Sequence, residues 1–117
     1  MSSITTHVLD TARGRPAAGV PVRLELLLKQ YAGGSEEWVE RGRGTTDADG
    51  RIKDLVAGPV VAGVYRLTFD TAAYFRSLKL EAFYPYVEIV FEVRDPAQHH
   101  HVPLLLSPFG YSTYRGS

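Results

Sequence analysis

The chain has 117 residues, 44% of them apolar, which suits one domain over 1–117 that buries roughly two-thirds of its unfolded surface. Thirteen Lys and Arg balance thirteen Asp and Glu, so the chain carries no electrostatic footprint for nucleic acid or an anionic membrane. It has no cysteine, which excludes disulfides, thiolate metal ligands and a Cys nucleophile.

At the start, Met1-Ser2-Ser3-Ile4-Thr5-Thr6-His7 has no basic region followed by an apolar run. The longest apolar stretches fall far short of a bilayer, so a soluble cytoplasmic protein is expected. Ile4, Thr6 and Val8 alternate with Thr5, His7 and Leu9, which predicts a strand. Asp10 to Pro16 reads as a turn. Val20, Val22, Leu24, Leu26 and Leu28 recur at every second position, a strand with one core face. Gly33-Gly34-Ser35 is a loop, and Glu37 to Arg41 starts another strand. Thr46 to Arg51 is a compact turn with Asp49-Gly50 at its tip. Ile52 to Leu55 reads as a short strand and Val64 to Phe69 as a longer one. Asp70 or Thr71 caps the one helical segment, about two turns containing Ala72, Ala73, Phe75, Arg76, Leu78 and Lys79. Val87, Ile89, Phe91 and Val93 mark a further strand. His101 to Leu106 and Tyr111 to Arg115 are the last two, hinged at Ser107 to Gly110. Short strands at regular spacing with Gly and Pro turns predict a β-sandwich. Its exposed edges need protection or pairing, so an oligomer is expected.

The chemistry-bearing side chains gather near the two ends. His99 and His101 share one strand face, and His100 opposes them. If His101 and His7 converge, two imidazoles can hold and move a proton near neutral pH. His7, His99 and His101 supply three nitrogen donors in principle, but His-x-His on a strand matches no tight zinc motif, and no functional metal is expected. Arg51, just after Asp49-Gly50, has the planar fork to clamp an anionic or carbonyl-rich ligand. No G-x-S-x-G elbow surrounds Ser107, Ser112 or Ser117, which favours activated water over an acyl-enzyme.

Four blocks carry a resemblance that spans essentially the whole chain. They are Ile4 to Asp10 with Gly14-Arg15-Pro16-Ala17, Asp47-Ala48-Asp49-Gly50-Arg51, His99 through Leu106, and Tyr114-Arg115-Gly116-Ser117. Together they resemble the transthyretin-related 5-hydroxyisourate hydrolases. The resemblance implies an all-β, transthyretin-like sandwich of two four-stranded sheets, eight strands in all, with one short α-helix. It implies a homotetramer, a dimer of dimers, with the active sites in a channel at the dimer–dimer interface. The implied reaction hydrolyses 5-hydroxyisourate, the product of urate oxidation, to 2-oxo-4-hydroxy-4-carboxy-5-ureidoimidazoline, and requires no cofactor. His7, Arg51, His101, Tyr114 and Ser117 match the family's site positions. On this reading His7 and His101 orient and deprotonate water, Arg51 binds substrate and stabilises negative charge, and Tyr114 and Ser117 position substrate and water. Which histidine takes the proton stays open. The competing expectations are a transthyretin-like carrier of a hydrophobic small molecule, which needs a mostly apolar channel, and a structural sandwich module indifferent to its last four residues.

Overall fold

Alternation in Ile4–Asp10 builds strand β1, with Ile4, Thr6, Val8 and Asp10 buried and Thr5, His7 and Leu9 half-buried on the other face. This computed structural model describes residues 4–117, and the sequence reading at Met1–Ser3 lies outside the described residues. After β1 come β2 (Arg15–Pro16), β3 (Pro21–Gln30), β4 (Glu36–Thr45), β5 (Gly63–Phe69), α1 (Thr71–Ser77), β6 (Val87–Val93), β7 (His100–Ser107) and β8 (Gly110–Thr113). They form two four-stranded sheets, ordered β2-β1-β7-β8 and β4-β3-β5-β6. The expected all-β architecture of eight strands and one short helix is the one observed.

The inner faces of the two sheets meet in one core. Ile4, Val8, Leu104 and Leu106 of the first sheet pack with Val22, Leu24, Leu67, Phe69 and Val87 of the second. Burial of such side chains contributes about 1.5–3 kcal/mol each relative to leaving them exposed. Asp70 rather than Thr71 caps α1, its side chain accepting from Ala73 N–H at 3.1 Å. The helix buries Tyr74 and Phe75 in the same core. Its Tyr74 hydroxyl donates to the buried Asp10 carboxylate at 2.7 Å and so ties α1 to the end of β1.

Several sequence readings are corrected. The turn read over Asp10 to Pro16 is narrower, since Asp10 ends β1 and Arg15–Pro16 form β2, and α1 ends at Ser77, before Leu78 and Lys79. Leu28 is 55% exposed, because a register irregularity between Leu27 and Lys29 breaks the alternation where β3 runs past the core. Ile52 to Leu55 is not a strand. Only Arg51 makes an isolated bridge there, and Leu55 enters the core from a turn. The final strand stops at Thr113 instead of running to Arg115, and beyond it Gly116 alone bridges to β7.

The pairing of β1 with β7 differs in kind from the rest. These two are parallel neighbours, with Thr5 opposite His101 and His7 opposite Pro103, whereas the other strand pairs are antiparallel. The polar face of β1 and the polar face of β7 therefore lie side by side on the outside of the first sheet. Among the described residues, no helix is long and apolar enough to cross a membrane.

Candidate active site

On that outer face Thr5 sits between two imidazoles. Its Oγ1 lies 2.9 Å from His99 Nε2 and 2.8 Å from His101 Nδ1. The two rings stack with centroids 6.4 Å apart and planes 22° from parallel. His7 stands two residues along β1 from Thr5, on the same face.

Arg51 reaches this face through its turn. Asp47 Oδ1 accepts from the backbone N–H of Asp49 at 2.9 Å and of Arg51 at 3.0 Å. The Arg51 N–H is the main cause holding the exposed Asp47 carboxyl below its usual value. Asp47 N–H in turn donates to the Arg51 carbonyl at 2.7 Å, and Val8 N–H donates to the Gly50 carbonyl at 2.9 Å. At the turn's base, buried Thr46 donates its hydroxyl to the Ala17 carbonyl at 2.7 Å and accepts from Val20 N–H at 2.8 Å. The turn is thus pinned to β1, and Arg51 bridges His7 backbone to backbone. Gly50, at φ +76°, permits this approach, because a Cβ there would stand 2.4 Å from the Val8 carbonyl oxygen.

The last residues close the third side. Gly116 N–H donates to the His101 carbonyl at 2.8 Å, and Thr113 Oγ1 donates to the Pro103 carbonyl at 2.7 Å. A Cβ on Gly116 would meet the His101 ring at 2.5 Å, so only glycine lets the segment lie against the imidazole. A cleft of about 540 Å³ results, lined by Thr5, Thr6, His7, Arg51, Ile52, His99, His101, Tyr114, Gly116 and Ser117.

Electrostatics inside the cleft favour a neutral His101. Its pKa is lowered from the ordinary imidazole value, chiefly by burial, then by the nearby Arg51, His99 and His7. The Thr5 backbone works in the opposite direction through a hydrogen bond. A depressed pKa keeps the ring unprotonated, and able to accept a proton, to a lower pH than a free histidine. In Arg51→Gln the protonation midpoint of His101, followed by ring NMR shifts, should therefore move up toward the ordinary value of about 6.5. An unmoved midpoint would mean that the guanidinium does not act on this ring.

The structure brings His7, Arg51, His101, Tyr114 and Ser117 together around one cleft, although they span almost the whole chain. Tyr114 lines it from a position more than half exposed. His100 faces the other way and is buried, as alternation predicts. Ser107 and Ser112 are not in the cleft. Sequence reasoning missed Thr5 and Ile52 as lining residues and gave His99 no catalytic place. The signal for Thr5 was its sharing of a strand face with His7. Among the described residues, no group of three or more His, Cys, Asp or Glu is placed to hold a metal ion. A second depression of about 590 Å³, on the other sheet, gathers Arg23, Arg43, Thr68 and Glu88. There Arg43 is paired with Glu40, and Arg23 lies 3.6 Å from Glu25, so the guanidiniums are already partnered.

The chain is similar to known proteins over nearly its whole length. The chain is 46% identical to the 5-hydroxyisourate hydrolase of Mus musculus over 117 residues, covering 99% of this chain and 96% of that protein. The structure of Klebsiella pneumoniae 5-hydroxyisourate hydrolase superposes with a TM-score of 0.82 at 38% identity, covering 100% of both chains. Sea bream transthyretin in complex with thyroxine also superposes with a TM-score of 0.82, at 34% identity, covering 98% of this chain and 95% of that one. The family model of the HIUase/Transthyretin family matches residues 4–116, nearly everything from β1 to the segment that closes the cleft, and the chain belongs to that family.

Proposed function

We propose that this chain hydrolyses 5-hydroxyisourate, opening its six-membered ring with a water activated in the cleft. The observation that carries this reading is the meeting of His101, Arg51 and the Tyr114–Ser117 segment in one polar cleft. A neutral imidazole is a base of suitable strength near neutral pH, and His101 is the ring whose surroundings favour that form. His101 takes a proton from water, and the hydroxide attacks the carbonyl carbon of the ring amide. Arg51 donates N–H bonds to the oxygen where negative charge develops. The intermediate collapses as the C–N bond breaks, and the leaving nitrogen takes the proton back from the imidazolium. His7 orients the water, while Tyr114 and Ser117 position substrate and water. These roles extend the family resemblance onto the observed geometry.

A homotetramer with cleft facing cleft fits the surface. The open edges β6 and β8 are available for pairing with a second copy, and Phe109 and Tyr111 expose apolar surface beside the first sheet. The test is the ultraviolet decay of 5-hydroxyisourate, generated in situ from urate with urate oxidase, with and without the protein. Accelerated decay is expected. No acceleration, joined to stoichiometric thyroxine binding, would overturn the hydrolase reading in favour of a carrier. The polar lining argues against that outcome, because carrier pockets for apolar ligands are mostly apolar.

A further inference from the structure

We propose that Thr5 and His99 act as positioning residues that set the tautomer of His101. In this arrangement His101 Nδ1–H donates to the Thr5 hydroxyl, the hydroxyl donates to His99 Nε2, and the His101 Nε2 lone pair is left for the water. The catalytic consequence rests on the hydrolase reading above, but the tautomer itself is readable without substrate.

A hydroxyl carries one proton and two lone pairs, so it donates to at most one of the two imidazoles at hydrogen-bond distance and accepts from the other, or from both. Two arrangements satisfy both contacts and also use the hydroxyl proton between the rings. In the first, His99 accepts and His101 donates through Nδ1. In the second, His99 donates and His101 accepts at Nδ1, which puts the proton of neutral His101 on Nε2, where it cannot take another.

The hydrogen bond at one ring nitrogen decides which state the other adopts. Of these two, the first is the one that lets His101 act as a base at Nε2. It also survives the reaction unchanged, because protonated His101 still donates through Nδ1 and no group has to turn. The second would require the Thr5 hydroxyl to rotate and His99 to exchange its proton during each turnover.

His99 is well placed for this work and poorly placed for direct catalysis. It is exposed, stacked on His101, and turned so that Nε2 faces the Thr5 hydroxyl. Its own Nδ1 then carries the proton. The parallel β1–β7 register holds Thr5 directly opposite His101, so the relay is anchored by the sheet.

The test is ring nitrogen NMR of the intact protein, above the protonation midpoint of His101, beside steady-state kinetics. Wild-type His101 should show a protonated Nδ1 and an unprotonated Nε2. In Thr5→Val, a near-isosteric change that removes the hydroxyl, that preference should weaken. kcat should then fall at least about tenfold, with KM within about twofold, because a wrong tautomer costs proton transfer and not binding. Thr5→Ser should restore most of both. His99→Phe keeps a ring against His101 but offers no acceptor, and it should lose more kcat than His99→Gln, whose amide oxygen can accept. A proton on Nε2 of wild-type His101 would overturn the proposal, and that measurement needs no variant. So would Thr5→Val with unchanged tautomer and kcat. The predicted tautomer in a protein with no ring-opening activity would support the relay and overturn the hydrolase reading.

Discussion

Arg51→Ala is expected to lower kcat/KM for 5-hydroxyisourate by about 10²–10³-fold, the usual loss when one donor to a developing oxyanion is removed. The fold should be indifferent. The Arg51 side chain is exposed, and its local structure is held by main-chain groups that alanine retains: its N–H on Asp47 Oδ1, its carbonyl on Asp47 N–H, and its bridge to His7. A second effect should accompany the first. Removing a cation beside His101 removes one of the causes that lower its pKa. The acid limb of the residual activity should then move to higher pH, because a base with a raised pKa is protonated sooner as pH falls. Circular dichroism and sedimentation would check the fold and assembly. Activity within a few-fold of wild type would remove Arg51 from the mechanism.

The second large effect is expected from one added methyl group. In Gly116→Ala the new Cβ would stand 2.5 Å from His101 Cδ2, so the ring must tilt or the terminal segment must lift. Either response moves a group in the cleft by an appreciable fraction of an ångström. A misplacement of about 1 Å can cost about 10²-fold in rate. Stability should change by no more than about 0.5 kcal/mol, because Gly116 makes one isolated bridge outside the core. Parallel measurement of turnover and urea midpoint separates the two effects. Removing Tyr114–Ser117 altogether should cost at least as much activity, again with the sandwich intact. Normal turnover in Gly116→Ala would mean that the terminal segment does not need its close seat on the imidazole. Loss of folding along with activity would show that the segment is structural instead.

Much of this could be read from the chain alone because the information was local. Period-two alternation set Ile4, Thr6 and Val8 on one face of a strand and Thr5 and His7 on the other, and it set His99 and His101 opposite His100. Turn chemistry marked Thr46 to Arg51, and Asp70 marked the start of the helix. The same local rules failed where a register irregularity interrupts β3 at Leu28, and at Ile52 to Leu55, where the chain turns through Asp54 at φ 55° and pairs with no strand. A strand is completed by its partner's hydrogen bonds, which composition does not encode.

The site residues themselves were named through a family resemblance, and their meeting was decided by tertiary structure. Thr5 touches residues 94 and 96 positions away. Periodicity states which side chains share a face of one strand, but not which strand lies beside it or in what register. Parallel pairing of β1 with β7 supplies both, and a slip of one residue would turn His99 and His101 to the opposite face from Thr5 and His7. By itself, the sequence determined the β-sandwich class, most of its turns and which histidines share a strand face, because alternation and turn chemistry are local. Only the tertiary structure decided that Thr5 stands between two imidazoles and that Gly116 lies against one of them, because those contacts exist once long-range pairing and close packing have chosen a single register.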